Sequence, residues 1–376
     1  MTARTPTADV ESDQTARREG THPVFLIPSG LRGNLYITLL GRAYQRAGVH
    51  AVYGADNLKE STWPFAAIHL QWPEEQYRGP GSDSPERRMA GFLDSLDAHK
   101  RRGTRLVWTV HNIWPHEHRH SQVDAAAYQG VIDRADVIVH HCEKSSALLA
   151  QAYARTQSVP SIVVPHGHYL EAYADNVTRQ QARERLAIPQ EAVVFLSFGM
   201  IRGYKGMDLF RRAYGRARVK GKFMLIAGHY TGIGGVKGKL ESLRLTLAAR
   251  LRPQSRFDLH SIDDDDVHLY FKAADAVVLS HHAGLNSGVA VLGMTFGKLI
   301  IGPDLGCMGQ VLNEGENLVY AAGDEDGLVR AMEAVPNLDL ARIAATNTRA
   351  AASWQWSDIV TKVLAKLQVA TAVCES

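Results

Sequence analysis

Two short segments of the sequence decide the fold class: Phe198-Gly199-Met200-Ile201-Arg202-Gly203-Tyr204-Lys205-Gly206 and Leu285-Asn286-Ser287-Gly288. Each follows an apolar stretch that is typical of a buried strand. Two cations on a glycine-rich strand-to-helix turn are suited to a diphosphate. The Ser-Gly pair at the start of a helix offers free backbone N–H groups to the same anion. The pattern therefore predicts an α/β protein that binds a nucleotide-diphosphate sugar through its second half.

The size and charge of the chain narrow its class. Its 376 residues suffice for two domains, each with its own core. A formal net charge of +3 is too small to argue for a nucleic-acid partner. Basic residues do cluster locally, at Arg87-Arg88, Lys100-Arg101-Arg102 and Arg211-Arg212. We interpret these clusters as solvated helix faces, with a membrane-surface patch as the alternative.

The cysteines and the N-terminal segment suggest a location. Cys142, Cys307 and Cys374 are far apart and odd in number, and no pair has metal-ligand spacing. We therefore expect a reducing, cytoplasmic compartment. Residues 1–20 are polar throughout, which predicts a disordered tail rather than a signal peptide. No stretch approaches the ~20 apolar residues of a transmembrane helix, so we expect at most peripheral contact at the inner face of the membrane.

Short apolar strands alternate with helical patterns along the chain, which predicts buried parallel sheet. The alternation breaks at Asn176 to Pro189, a polar stretch that offers few anchors. We predict two doubly wound Rossmann-like halves, 21–175 and 176–353, and a helical segment, 354–376, for which crossing back onto the first half is one option. The predicted strands are 24–28, 66–70, 106–110, 137–140, 161–165, 192–198, 223–227, 256–260, 276–280 and 298–302. Ligands bind such sheets beyond the carboxyl ends of the strands, where most polar motifs of this chain lie.

Five groups of residues carry a resemblance to a known family. In chain order they are Leu70-Gln71-Trp72-Pro73-Glu74; Thr109-Val110-His111-Asn112 with Pro115-His116-Glu117; His166-Gly167-His168-Tyr169; Gly199 with Ile201-Arg202 and Tyr204-Lys205-Gly206; and Asn286-Ser287-Gly288. With these groups the chain resembles GT-B glycosyltransferases. It is most similar to the bacterial exopolysaccharide β-mannosyltransferases of the xanthan type.

The resemblance implies an N-terminal acceptor-binding half and a C-terminal donor-binding half, with a cleft between them. It implies GDP-mannose as the donor and a glycan or polyprenyl-diphosphate-linked oligosaccharide as the acceptor, in exopolysaccharide or glycoconjugate synthesis. Neither a cofactor nor an essential metal is expected, because basic side chains and a helix N-terminus carry the diphosphate charge in this family. We interpret the acidic run Asp263 to Asp266 as the start of a helix rather than as a metal site.

Two departures from the family pattern bear on mechanism and specificity. Many retaining GT-B enzymes carry two glutamates after the strand that here ends at Ser280, whereas Gly284 to Leu292 contains no carboxylate. This difference favours an inverting transfer. The xanthan-type enzymes usually have His in front of Trp72, where this chain has Gln71. A different acceptor or sugar is therefore an open alternative.

The candidate donor-binding residues lie in the two opening segments. Arg202 can hold a phosphate through two donors, and Lys205 acts as a point charge in the same turn as Gly199. The alternative is an ordinary surface pair on a loop. Asn286, Ser287 and Gly288 are expected to present backbone N–H groups and a hydroxyl to the phosphates or the sugar. Their alternative is an ordinary helix cap.

An inverting transfer needs a base that deprotonates the acceptor hydroxyl, and we expect it in the first half. Glu74 is the first candidate, because a carboxylate beside Trp72 and Pro73 can have a raised pKa. The alternative for Glu74 is a solvated loop acid.

Histidines in the motifs are further candidates. The resemblance implies that His111 contacts the donor sugar, and catalysis as a base is its alternative. His116 and Glu117 are further catalytic candidates that could instead close a helix start. His166, which shares its motif with His168, is expected to bind a donor oxygen or to bond to backbone.

The first glycine-rich turn, Ser29-Gly30-Leu31-Arg32-Gly33-Asn34, resembles the loop that opens the first half of GT-B enzymes. It is not Gly-x-Gly-x-x-Gly and no acid follows at the distance that a ribose requires, so a dinucleotide site is not expected. The predicted acceptor-binding residues are Gly30, Arg32, Asn34 and Trp72. Arg32 would meet the diphosphate of a lipid-linked acceptor.

The sequence thus predicts an inverting hexosyltransferase with a nucleotide-sugar donor. Three alternatives remain open. They are a retaining transferase of the same fold, a sugar-nucleotide 2-epimerase, and a non-catalytic subunit that binds a nucleotide sugar.

Overall fold

The computed structural model describes residues 22–30, 34–79, 82–115, 121–170, 172–229 and 254–369. The predicted tail, 1–20, and the candidates Arg32, His116 and Glu117 lie outside these residues. In the described part of the chain, no helix combines the length and the apolar character needed to cross a bilayer.

A six-stranded parallel sheet forms the centre of the first half, with the strand order β2-β1-β3-β4-β5-β6. All four side chains of β3 are buried, as expected for a strand covered on both faces of its sheet. The strands are β1 (Val24–Ile27), β2 (His50–Tyr53), β3 (Ala67–Leu70), β4 (Arg105–Thr109), β5 (Val137–His140) and β6 (Ser161–Val163). The helices are α1 (Leu35–Arg46), α2 (Ala55–Glu60), α3 (Glu74–Tyr77), α4 (Pro85–Arg101), α5 (Ser121–Arg134) and α6 (Glu143–Ala152).

A second six-stranded parallel sheet forms the centre of the second half, with the order β12-β11-β10-β7-β8-β9. Its strands are β7 (Val193–Phe198), β8 (Lys222–Ala227), β9 (Ser255–Asp258), β10 (Ala276–Val278), β11 (Leu299–Asp304) and β12 (Leu318–Ala321). Its described helices are α7 (Arg179–Arg185), α8 (Met207–Arg216), α9 (Val267–Ala273), α10 (Gly288–Thr295), α11 (Met308–Asn313), α12 (Glu325–Ala334) and α13 (Leu340–Ala352). The predicted fold class, two doubly wound parallel sheets, is confirmed.

The last described helix, α14 (Trp356–Leu367), follows the second half in the chain but packs on the first. Its apolar face, which includes Val360 and Val363, belongs to the same buried cluster as β1 and α1. The indole N–H of Trp356 donates to the carbonyl of His168 at 2.8 Å. The end of the chain therefore connects the two halves through packing.

The acidic run Asp263 to Asp266 was predicted correctly from the sequence, whereas two strands at sheet edges, β2 and β12, were not predicted. Asp264–Asp266 form a 3-10 turn that leads into α9, as predicted, although none of their side chains caps the helix. The strands β2 and β12 were missed in the sequence. Both are only four residues long and lie at sheet edges, and most of their side chains are partly buried or exposed, so their short apolar stretches do not stand out as buried strands.

The predicted break at 176–189 is wrong in one respect, because it contains a capped helix and a strong anchor. The side chain of Thr178 and that of Gln181 form a capping box at the start of α7. Arg183 is completely buried and donates to Asp275 and to the carbonyls of Ala273 and Gln190. A polar pattern concealed this anchor, since its partners lie far away in the sequence.

A disulfide joins the two halves. Cys142 follows β5 after His141, Cys307 follows β11, and the two cysteines bond across a sequence separation of 165. The expectation drawn from the cysteine spacing is therefore corrected: two distant cysteines are neighbours in the fold. The cysteine pattern no longer supports a reducing compartment.

Replacing Arg183 with Ala is expected to lower the free energy of unfolding by about 3–5 kcal/mol, because it leaves the carboxylate of Asp275, which is only 9% exposed, without its main partner. Arg179→Ala is the matched control. Arg179 contacts the same carboxylate from a half-exposed position, so its loss should cost less than about 1 kcal/mol. Urea unfolding of both variants measures the difference, and equal losses would contradict the anchoring role of Arg183.

Candidate functional site

The two predicted donor-binding segments lie side by side. They follow β7 and β10, which are paired in the second sheet, so both lie at its carboxyl edge. Ser280 Oγ donates to the carbonyl of Lys205 at 2.8 Å and ties the segments together. Gly206 has a φ of +65°, and a Cβ at this position would overlap the carbonyl oxygen of Ser280. Only glycine therefore allows the two turns to approach so closely.

Arg202 and Lys205 place two positive charges in the first of these turns. In the described part of the chain neither forms an ion pair, and the Nε of Arg202 is buried without a hydrogen-bond partner. Burial, and then the positive charge of Arg202, lowers the pKa of Lys205 to about 8. A bound anion would stabilise these two partly desolvated cations, so this turn is suited to anion binding.

The first turn of α10 lies close to Gly199 and to the Lys205 ammonium. The Nζ of Lys205 and the Cγ2 of Val289, in the first turn of α10, each lie 3.4 Å from the position that a Cβ on Gly199 would take. Ser287 holds the N-cap position, yet its side chain forms no capping hydrogen bond. The lysine charge and the free end of a helix thus converge over Gly199.

Asn286 points away from this place. Its side-chain amide donates to the carbonyls of Val110, at 3.3 Å, and His111, at 3.2 Å. Both acceptors follow β4 in the first half. The structure therefore places the Asn286 amide in a contact between the halves rather than toward the start of α10.

Aromatic and imidazole rings form the facing wall of the first half. Trp72 stacks on His111 with ring centroids 4.3 Å apart. Tyr36, on α1, contacts His111 and His166 at 5.0 and 4.9 Å between centroids. The hydroxyl of Tyr169 lies 3.3 Å from the position of a Cβ on Gly288, which brings this wall to the start of α10.

His141 belongs to the same wall and was missed in the sequence. It follows β5, and its ring lies 5.4 Å from that of His111 and 5.3 Å from that of His166. Burial lowers the pKa of His141 to about 3 and that of His166 to about 4. Both rings are therefore neutral near pH 7 and suited to hydroxyl groups rather than to ion pairing. The position of His141 directly after the predicted strand 137–140 is the signal by which the sequence could have indicated it as a site residue.

Gln71, one of the departures from the family pattern, holds His111 in position. The Nε2 of His111 donates to the Oε1 of Gln71 at 2.9 Å. The amide nitrogen of Gln71 is buried without a hydrogen-bond partner in the described structure. Gln71 thus orients the histidine and leaves an N–H group available in the wall.

The carboxylate of Glu74 points into the interior of the first half. Its Oε2 accepts a hydrogen bond from Tyr128, on α5, at 3.0 Å. Burial raises its pKa. The ion pair between Arg78 and Asp124 lies in the same network. Glu74 has the raised pKa that the sequence predicted, but its carboxylate is engaged by a structural partner.

The carboxylate of Glu75 points toward the first glycine-rich turn. Its Oε2 accepts from Ser29 Oγ at 3.0 Å, and burial raises its pKa. Gly30 follows Ser29, and a Cβ at Gly30 would meet no atom within 4 Å. Asn34, at the N-cap of α1, forms no side-chain capping bond. Glu75 thus contacts the start of the predicted acceptor-binding turn, whereas the sequence favours its neighbour Glu74 as the base.

A cavity of about 220 Å³ lies between the halves. Its walls come from both halves and include Asn112 and Trp114 on one side and Tyr204 and Gly284 on the other. Trp114 is exposed to 42%. The described residues contain no cluster of three or more potential metal ligands.

Comparison with known proteins identifies the fold and the type of enzyme. A family model described as "Glycosyl transferases group 1" matches residues 178–350, the half that contains Arg202, Lys205 and α10. Anabaena Alr3699/HepE, solved in complex with UDP-glucose, is 14% identical, with a TM-score of 0.70 over 93% of this chain and 100% of that chain. The chain is a glycosyltransferase with the GT-B fold. No curated protein matches it.

Two further structures share the fold of this glycosyltransferase. Sucrose-phosphate synthase from Thermosynechococcus elongatus is 15% identical, with a TM-score of 0.68 over 91% of this chain and 97% of that chain. An α,α-trehalose-phosphate synthase (UDP-forming) from Burkholderia xenovorans, in complex with glucose-6-phosphate, is 10% identical, with a TM-score of 0.63 over 92% of this chain and 100% of that chain. At these identities the likeness concerns the fold.

The affinity of the glycosyltransferase for a nucleoside diphosphate should fall as the pH rises through about 8, because only the charged form of Lys205 binds the anion and its pKa is lowered to about 8. We expect roughly tenfold weaker binding of GDP or UDP at about pH 9.5 than at about pH 7.5. Isothermal titration calorimetry measures it. Lys205→Arg, which stays charged, should show a flat profile, and a flat wild-type profile would contradict the role of Lys205.

Proposed function

We propose that the enzyme transfers a hexose from a nucleotide sugar to a glycan or polyprenyl-diphosphate-linked oligosaccharide, with inversion at the anomeric carbon and GDP-mannose as the first donor to test. The observation that carries this proposal is the convergence of the Lys205 ammonium and the start of α10 over Gly199, with Arg202 close enough for its charge to lower the pKa of Lys205. A diphosphate seated there would receive charge from Arg202 and Lys205 and N–H groups from the helix start. These groups, rather than a resident metal or cofactor, stabilise the leaving nucleoside diphosphate.

The sugar would then extend toward the wall that faces α10. His141 and His166 offer neutral rings to sugar hydroxyls, and Gln71, which orients His111, adds a buried N–H group. Neutral hydrogen-bonding groups suit an uncharged hexose better than a uronate. The resemblance to xanthan-type enzymes supports mannose, whereas the UDP-glucose complex of the Anabaena protein makes UDP-glucose the first competitor.

Inversion requires a base on the acceptor side. We assign this role to Glu75, which lies beside the predicted acceptor turn and has a raised pKa. It would take the acceptor proton while the acceptor oxygen attacks the anomeric carbon and the diphosphate leaves. The absence of a carboxylate from Gly284 to Leu292 supports this single displacement.

A retaining transfer is the second candidate. It is favoured by one protein of the same fold, the α,α-trehalose-phosphate synthase, whose name denotes an α linkage. The one-bond C1–H1 coupling at the anomeric centre of the product, measured by NMR, decides between the two for mannose as well as for glucose. We further propose a cytoplasmic enzyme with peripheral contact at the inner face of the membrane, where a lipid-linked acceptor would be reached.

A panel of donors tests the donor site. GDP-mannose, UDP-glucose, UDP-GlcNAc, UDP-glucuronate and dTDP sugars are added separately, and thermal stability is measured. One donor is expected to stabilise the protein, by about 2.7 kcal/mol at 100 times its Kd, and Arg202→Ala should abolish this shift. Arg211→Ala, an exposed cation on α8, is the matched control and should keep it. If no nucleotide sugar or nucleoside diphosphate binds, the proposed function is wrong. If the sugar of a bound donor is epimerised in the absence of an acceptor, the enzyme is a sugar-nucleotide 2-epimerase instead.

Glu75→Gln is expected to lower kcat by about 10²- to 10⁴-fold with little change in donor-induced stabilisation, because it removes the base and leaves the donor site intact. Glu74→Gln keeps an oxygen that accepts from Tyr128, so a loss of less than about tenfold is expected. Steady-state kinetics on the donor found in the panel measures both. A large loss confined to Glu74→Gln would transfer the role of base to Glu74.

A further inference from the structure

The disulfide between Cys142 and Cys307 lies where the two halves of the enzyme meet. Cys142 takes the N-cap position of α6, in the first half, and Cys307 precedes α11, in the second. Both residues are buried, with exposures of 1% and 0%. A covalent bond at this position prevents the carboxyl ends of the two sheets from separating there.

The bonded turn is also attached to the predicted donor-binding segment. The backbone N–H of Cys307 donates to the carbonyl of Leu285 at 2.7 Å. Gly306, with a φ of +55°, packs so closely that a Cβ would lie 2.5 Å from the same carbonyl oxygen. Leu285 directly precedes Asn286, whose amide contacts the first half. A change at the sulfur atoms would therefore act on the segment that leads into α10.

An ion pair between residues close to the two cysteines also joins the halves, but it is weak. Lys144 and Asp304 form an ion pair between the halves at 3.2 Å, but their side chains are exposed to 48% and 61%. Such a pair contributes less than about 1 kcal/mol. The ion pair alone would not hold this part of the cleft closed once the disulfide is cleaved.

The bonded state encloses little space. The cavity between Trp114 and Tyr204, beside α6 and the Cys307 turn, measures about 220 Å³. Pockets for small ligands typically measure about 300–1,000 Å³. The space beside His166, Ser287 and Cys307 measures only about 10 Å³. Neither space admits a nucleotide sugar, so access to this part of the cleft requires the halves to move apart.

We propose that Cys142 and Cys307 form a reversible thiol–disulfide site that acts as a latch on the cleft. The bonded form holds the halves together and slows the exchange of nucleotide, and the dithiol form allows opening. The reactant is a low-molecular-weight thiol. The effect on nucleotide exchange rests on the proposed donor site, whereas the opening of the cleft does not.

The chemistry is ordinary thiol–disulfide exchange. A thiolate of the small molecule attacks one sulfur of the pair, forms a mixed disulfide and releases the other cysteine as a thiolate. A second thiolate attacks the small-molecule sulfur of the mixed disulfide and releases the second cysteine. The protein gains two electrons and two protons, and the two small thiols leave as one disulfide. Oxidation reverses these steps with a small-molecule disulfide as the oxidant.

The test uses the full chain with Cys374→Ser, so that only the pair reacts. One sample is oxidised with glutathione disulfide and one is reduced with dithiothreitol, and mass spectrometry after alkylation determines the state of the pair. Small-angle X-ray scattering then gives the radius of gyration, and stopped-flow fluorescence gives the association rates of fluorescent GDP and UDP. Cys142→Ser and Cys307→Ser in the same background are the matched controls.

The reduced protein is expected to have a larger radius of gyration and roughly tenfold faster nucleotide association than the oxidised protein. Both serine variants should behave like the reduced protein under either condition. Equal radii and equal rates in the two states, or no bond after oxidation, would overturn the latch and indicate a purely stabilising bond or separate thiols. A radius that changes while neither nucleotide binds would support the latch and refute the proposed donor site.

Discussion

Parallel strand pairing is the constraint on which the site depends. Because every strand in each sheet runs in the same direction, the segments that leave the strands collect at one edge of that sheet. The two edges meet: Asn286, after β10, contacts the end of β4, and Cys307, after β11, bonds to Cys142, after β5. Residues far apart in the chain are thereby brought to a single cleft.

The electrostatic character of the two sides of the cleft is different and complementary. The second half contributes Arg202 and Lys205, whose charges lack ion-pair partners in the described residues. The first half contributes neutral imidazoles and, farther along, carboxylates with raised pKa values. In the proposed inverting transfer, the positive charge would stabilise the leaving diphosphate, the neutral groups would surround the sugar, and Glu75 would act as the base beside the acceptor.

The sequence was informative where local pattern and tertiary environment agree. The strands β3 and β4 are nearly continuous apolar runs because both faces of the sheet are covered, and the turn at Gly199 carries its charges within a few residues. The edge strands β2 and β12, the buried Arg183 and the Cys142–Cys307 bond were not predictable, since their environments depend on distant parts of the chain. The same limit applies to Glu74 and Glu75. Adjacent residues point in different directions, and only the contacts with Tyr128 and Ser29 distinguish them.

The proposed function depends on where a diphosphate binds. A crystal structure of the enzyme with GDP or UDP tests this most directly. We predict that the diphosphate lies within hydrogen-bond distance of the Arg202 guanidinium, the Lys205 ammonium and the backbone N–H groups at the start of α10. A nucleotide bound elsewhere, with Arg202 and Lys205 making no contact with its phosphates, would contradict the account.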